Sequence, residues 1–209
     1  MLFETMAPIP TWRDYYLGHD QRPHYRYLSK VLKVLQWLRG GQRWVLKSPQ
    51  HLEQFPALRD VFPDATFVVT HRDPVSVTAS MATMLAYSAR MSASRVDPRR
   101  VGRYWAERLE TMLWTCVRDR DALPAGQSID VRFDEFMADD VAMVERIYTL
   151  AGQPMTADAR AAMNAFMAAH PRGRHGGVIY DLADFALDRG ERRRALAFYV
   201  ERFGVTEEG

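Results

Sequence analysis

The chain has 209 residues, 47% of them hydrophobic and 26% charged, and a net charge of +2. That length and balance describe one domain, able to bury a core at roughly 70% of its unfolded surface, and a single cysteine, Cys116, excludes a disulfide framework or a zinc knuckle. Basic and acidic totals of 28 and 26 argue against a nucleic-acid partner; no apolar run reaches the roughly 18 residues of a membrane span, and the first residues lack a signal-peptide pattern, so the cytoplasm is the expected compartment.

No repeat or low-complexity tract interrupts the chain. Pro8 and Pro10 argue against regular helix over 7–12. Leu28, Val31, Leu32, Leu35 and Leu38 recur at three- and four-residue spacing, which predicts an amphipathic helix over 25–38 ended by Gly40 and Gly41. Residues 43–47 read as a short strand. Ser48 and Pro49 follow as an N-cap and a first helical proline, with a helix running towards Phe62, bent or restarted at Pro56. Residues 66–71 form a second strand, apolar on both faces in its middle, as in a buried parallel sheet. Asp73 and Pro74 repeat the cap-and-proline device before a helix to about residue 91.

After a polar loop over 92–98, a long helix over 101–121 carries Tyr104, Trp105, Leu109, Met112, Leu113, Cys116 and Val117 on its apolar face. A third strand spans 129–133 and a further helix 141–151. Thr156 can cap another helix to about residue 169. Residues 171–177 form a basic, glycine-rich loop, and the last helix covers 191–203. Strand, helix, strand, helix, strand is an α/β pattern: a parallel sheet flanked by helices.

Ligands of such sheets bind at the carboxyl ends of the strands. Two predicted strand ends carry a cation followed at once by a helix N-terminus: Lys47 before Ser48, and Arg72 before Asp73. A helix N-terminus attracts phosphate or sulfate, and the adjacent cation adds a full charge. Ser80, two turns into the helix after Arg72, could add a hydroxyl to the same anion. The loop bearing Arg172, Arg174, His175 and Gly176 could close over it through backbone N–H groups. Only three of the 28 basic residues are lysines, which draws attention to Lys47. Each feature also has a plainer reading. Lys47 can be solvated, Arg72 can pair with Asp73, and Ser80 can bond back to a carbonyl. His51 and His71 are more often structural than catalytic. The run Arg192, Arg193, Arg194 reads as a solvated helix face.

The string Leu46, Lys47, Ser48, Pro49, Gln50, His51, Leu52, followed by His71, Arg72, Asp73, Pro74 and then Ser80, resembles the sulfotransferase family, in its bacterial branch with an L-K-S-P-x-H-L motif. The likeness extends to Phe133–Asp134–Glu135–Phe136, to the loop from Arg172 to Gly176, and to the segment from Tyr180 to Phe185. It implies a P-loop-NTPase-like sulfotransferase fold over the single domain 1–209. It also implies transfer of a sulfuryl group from 3′-phosphoadenosine-5′-phosphosulfate to the hydroxyl of a small molecule, without a metal. On that resemblance Lys47 assists the leaving oxygen, where a loose transition state gathers charge. Arg72 and Ser80 hold the 3′-phosphate, Ser48 lies beside the donor, and Phe133 stacks by the adenine. Arg172, Arg174, His175 and Gly176 complete the phosphate site. His51 is either the general base or a support of its turn, with a carboxylate outside this chain as the third alternative for the base.

The family's glycine- and serine-rich 5′-phosphosulfate loop has no counterpart before Lys47. The expectation is an N-terminally truncated fold, the C-terminal portion of the family domain, with weak or no turnover. An uncovered sheet edge would favour a homo-oligomer. The alternative is a non-catalytic remnant that binds 3′-phosphoadenosine nucleotides or a partner chain. A nucleotide kinase is disfavoured by the missing Walker loop. The acceptor is not legible, although Met84, Tyr87, Met91 and residues 92–98 could line its pocket.

Overall fold

The computed structural model describes residues 2–7, 9–171, 173–174, 176 and 180–208. Three helices lead: α1 (Leu2–Met6), α2 (Pro10–Leu17) and α3 (Arg22–Arg39). A 3-10 turn, Pro49–Glu53, precedes α4 (Phe55–Val61), β1 (Phe67–His71), α5 (Pro74–Ala89) and α6 (Pro98–Asp119). Then come β2 (Ser128–Arg132), α7 (Phe133–Ala138), α8 (Asp140–Leu150) and α9 (Ala157–Ala169). A second 3-10 turn, Leu182–Phe185, leads to α10 (Arg189–Ala195) and α11 (Ala197–Phe203). The architecture is α/β, mostly helical around a small parallel sheet. β1 and β2 pair in parallel, with Phe67 opposite Ser128 and His71 opposite Arg132.

Several sequence expectations are corrected. The strand over 43–47 does not form; these residues have no regular secondary structure. A strand needs a neighbour to take its N–H and C=O groups, and among the described residues no strand pairs with this one. Val45 is accordingly 93% exposed. The helix expected from Ser48 to Phe62 is instead a five-residue 3-10 turn and α4, joined at Gln54, and Ser48 makes no side-chain cap bond. Pro10 begins α2, at the position where its missing N–H costs nothing. Phe133 is not the last strand residue but the first of α7. The final helix breaks at Leu196, whose side chain is fully buried. Two of the three consecutive arginines are not merely solvated: Arg192 bonds to Glu110 and to the Ala106 carbonyl of α6, and Arg193 to Asp73.

The main core joins Val69 of β1, Val75 and Ala79 of α5, Leu113 and Cys116 of α6, Leu196 between the last two helices, and Tyr199 and Phe203 of α11. Burial pushes the Cys116 thiol up to about 12, so it serves as a small core residue. α6 comes so close to the Leu182–Phe185 turn that a Cβ on Gly102 would lie 2.6 Å from that of Phe185. No helix among the described residues is long and apolar enough to cross a membrane.

Candidate anion-binding site

The alternation of β1 turns His71 inward and Arg72 outward. The buried His71 ring has Nδ1 2.8 Å from the Tyr199 hydroxyl and Nε2 2.8 Å from Asp130 Oδ1 on β2. With its proton on Nε2, the ring donates to Asp130 and accepts from Tyr199. Arg120 grips both Asp130 oxygens at 2.8 and 2.9 Å. Burial alone would raise the Asp130 carboxyl, but the bonds from His71 and Arg120 outweigh it and hold the pKa at about 2. This network fixes the carboxyl end of β1, from which Arg72 projects.

Because His71 lies opposite Arg132, the residues after the two strands are neighbours. The Arg72 guanidinium accordingly sits over the Phe133 ring, 4.3 Å from its centroid. Its Nε and Nη2 donate to the two carboxylate oxygens of Glu208, each at 2.7 Å. That bond raises the Arg72 pKa, with the Tyr180 hydroxyl near enough to add to the shift. The expected local partner, Asp73, is engaged elsewhere. It is 1% exposed, caps α5 through the Val75 N–H, accepts from Ser76 Oγ, and takes both Arg193 amino groups at 2.9 and 3.1 Å. Burial pushes its pKa up, and the N–H groups of Glu208 and Val75 with Arg193 more than offset this, leaving it lowered. Ser80 is half-buried on the α5 face that carries Ser76, about 10 Å along the axis from Asp73 at roughly 1.5 Å per residue.

Lys47 is exposed and makes no ion pair among the described residues. The turn after it is too short to carry a helix dipole, so of the cation and helix N-terminus expected here only the Lys47 charge is present. His51, in that turn, is half-buried with Nδ1 2.9 Å from the Tyr25 hydroxyl, and burial lowers its pKa. Glu53 anchors the same turn: it receives Arg108 of α6 through two bonds of 2.5 and 2.6 Å, fully out of water. Arg108 also reaches Glu4 of α1, which takes the Tyr104 hydroxyl.

Gly173 and Gly176 adopt φ of +75° and +81°, which favours glycine, and Arg174 bonds to the Ala169 carbonyl. The predicted Arg172 and His175 lie outside the described residues. Met84, Tyr87 and Met91 are 53%, 70% and 80% exposed, so this stripe is surface, not core. An open cleft of about 460 Å³ lies at the opposite end of β2, around Ser128, Arg120 and Arg202, and contains none of the predicted site residues.

The structure therefore brings Arg72 and Phe133 together and adds Glu208 and Arg193, which sequence reasoning missed. The only sequence signals for them were the arginine run and the acidic pair Glu207–Glu208. Tyr25, Glu53, Arg108 and Glu4 gave no signal, because their pairing depends on residues far away in the chain.

Residues 2–157 match the model of the sulfotransferase family. The crystal structure of sulfotransferase STF9 from Mycobacterium avium superposes with a TM-score of 0.88 at 26% identity, over 100% of this chain and 54% of that one. Sulfotransferase STF1 from Mycobacterium tuberculosis H37Rv superposes with a TM-score of 0.81, also at 26% identity, over 94% of this chain and 51% of that one. The chain thus spans about half the length of these solved relatives. The curated proteins contain no match.

Proposed function

The chain belongs to the sulfotransferase family, and on that premise we propose that it binds 3′-phosphoadenosine-5′-phosphosulfate and directs its sulfuryl group to the hydroxyl of a small acceptor. The observation that carries the reading is Arg72. Its guanidinium lies over the Phe133 ring and holds a carboxylate through two parallel bonds. That fork suits a phosphate oxyanion equally well, with an aromatic face beside it for a base. The 3′-phosphate takes Arg72, with Ser80 on the adjoining helix face. Phe133 is assigned to stack by the adenine, and Arg172, Arg174, His175 and Gly176 to cover the phosphate.

The donor supplies a sulfuryl group on an activated phosphate. Lys47 is assigned to neutralise the leaving oxygen, aided by Ser48, since an exposed ammonium on a flexible stem can follow a moving charge. His51 is the candidate base for the acceptor hydroxyl. Its lowered pKa keeps it neutral near pH 7, as a base must be. No metal is assigned a role.

Calorimetric titration with 3′-phosphoadenosine-5′-phosphate tests the reading. We expect saturable binding that Arg72→Ala weakens at least about tenfold, as removal of a bidentate phosphate contact does. Absence of binding to the folded chain would overturn it. A second reading is nucleotide binding without turnover. A sulfate-transfer assay over a panel of alcohols and phenols separates the two. We expect weak turnover or none, and robust turnover would retire the second reading.

A further inference from the structure

Glu208 holds the Arg72 guanidinium with the same two-pronged geometry that a phosphate would use. Its placement is not casual. α11 ends at Phe203, and Gly204 turns the chain with φ +60°. Val205 then anchors in the core, and the Thr206 hydroxyl donates to Asp134 of α7 at 2.7 Å. The Glu208 N–H donates to buried Asp73 at 2.9 Å, and its carbonyl accepts from Arg193 at 3.1 Å. Residues 204–208 thus form a strap from α7 to α10, with one carboxylate delivered onto Arg72. The backbone of the strap is held on both sides of Glu208, so the carboxylate stays at high effective concentration.

We infer that Glu208 is an internal ligand of the Arg72 site, which a phosphate monoester must displace to bind. The inference rests on the proposed function, since it concerns the same site. The exchange is feasible in sign. The Arg72–Glu208 pair is partly exposed, with 45% and 29% of the two side chains accessible, so it is a modest interaction. A phosphate monoester brings up to two negative charges and three acceptor oxygens against the single charge of the carboxylate. The strap then sets an affinity threshold: ligands without a strong anion at this position do not open it.

Glu208→Gln tests the inference, because it keeps the shape and the backbone anchors and removes only the charge. Glu207→Gln makes the same change in net charge one residue away, where the carboxylate lies 3.3 Å from Arg193. Two quantities are read for each: affinity for 3′-phosphoadenosine-5′-phosphate by calorimetry, and the rate at which phenylglyoxal modifies Arg72, followed by peptide mass spectrometry. Glu208→Gln is expected to bind the nucleotide about 3- to 10-fold more tightly and to expose Arg72 to faster modification, while Glu207→Gln stays within about twofold of the parent. Glu208→Asp, which keeps the charge but shortens its reach, is expected to fall between. If the parent and Glu208→Gln bind equally and are modified equally fast, the inference is overturned and the proposed function stands. If no variant binds nucleotide although Arg72 reacts faster, the proposed function fails and the competition fails with it. If Glu207→Gln matches Glu208→Gln, the effect is general charge and the inference is again overturned.

Discussion

At the scale of single residues, His51 shows what a motif conveys and what it leaves open. Its place after Lys47 was legible in the sequence; its partner Tyr25 was not, because the bond joins residues 26 apart. That bond decides the chemistry. Burial raises the Tyr25 pKa, so the phenol stays protonated. If its hydroxyl donates to Nδ1, the neutral ring carries its proton on Nε2 and presents a donor. If Nδ1–H donates to the Tyr25 oxygen, Nε2 is free to take a proton. The proposed base role requires the second arrangement, and the ¹⁵N shifts of His51 report it directly; a protonated Nε2 would assign His51 to support of its turn. The lowered pKa also carries a sign for stability. The unfolded chain binds the proton more readily than the native one, so stability is lost as pH falls through the unfolded value of about 6.5. An NMR titration of His51 should show a midpoint below about 6.5, and His51→Gln should flatten this part of the pH dependence of melting.

At the scale of elements, local signals served well where local physics decides. α5, α6 and α9 begin within three residues of their expected starts, and Asp73, Asp97 and Thr156 each cap through a side-chain oxygen. The 3.6-residue period of α3 and α6 reflects helices with one buried face: α3 packs on α4, and α6 on α5 and the two 3-10 turns. Strand 43–47 failed for the opposite reason. Its residue types suit a strand, but a strand exists only with a partner, which lies outside its own sequence. The two strands that do form are tied by side chains as well as by their ladder. Asp130 of β2, held near pKa 2, is lower than in an unfolded chain, so its bonds to His71 and Arg120 stabilise the fold above about pH 4 and are lost as pH falls towards 2. Allowing for its partial exposure, Asp130→Asn should cost about 1 kcal/mol at neutral pH and progressively less as pH falls towards 2, measured by urea unfolding across that range. Gly102 tests the packing of α6. Alanine there would gain about 1 kcal/mol of helix propensity. The 2.6 Å approach to the Phe185 Cβ must be relieved by moving the turn, not a flexible side-chain end. We expect the clash to win and Gly102→Ala to lower stability by about 1–3 kcal/mol in thermal melts.

At the scale of the molecule, the parts of the site that sequence could show are those that sit at strand ends, and the parts it could not show are those that arrive from far along the chain. The position of Arg72 was legible, as a cation after a buried strand and before a helix, where the sequence also allowed a pair with Asp73. Its partner, 136 residues away, was not. The same holds for the buried ion cluster that fastens the turn bearing His51. Arg108 of α6 sits between Glu53 of that turn and Glu4 of α1, with none of the three more than 7% exposed. Two carboxylates and one guanidinium out of water gain little over apolar packing of the same volume, yet breaking the set leaves an uncompensated charge. Arg108→Met should therefore destabilise by about 3–5 kcal/mol. Replacing Glu4 and Glu53 with glutamine in the same chain should recover much of that loss, because no buried charge remains. Chemical denaturation of the parent, the single variant and the triple variant measures both quantities. Equal instability in the single and triple variants would mean that α1, α6 and the turn are aligned by the geometry of the charged bonds themselves. In that event the proposed nucleotide binding, which is assigned to Arg72 after β1 and Phe133 of α7, should survive in the folded fraction while the Nδ1 contact of His51 with Tyr25 is lost.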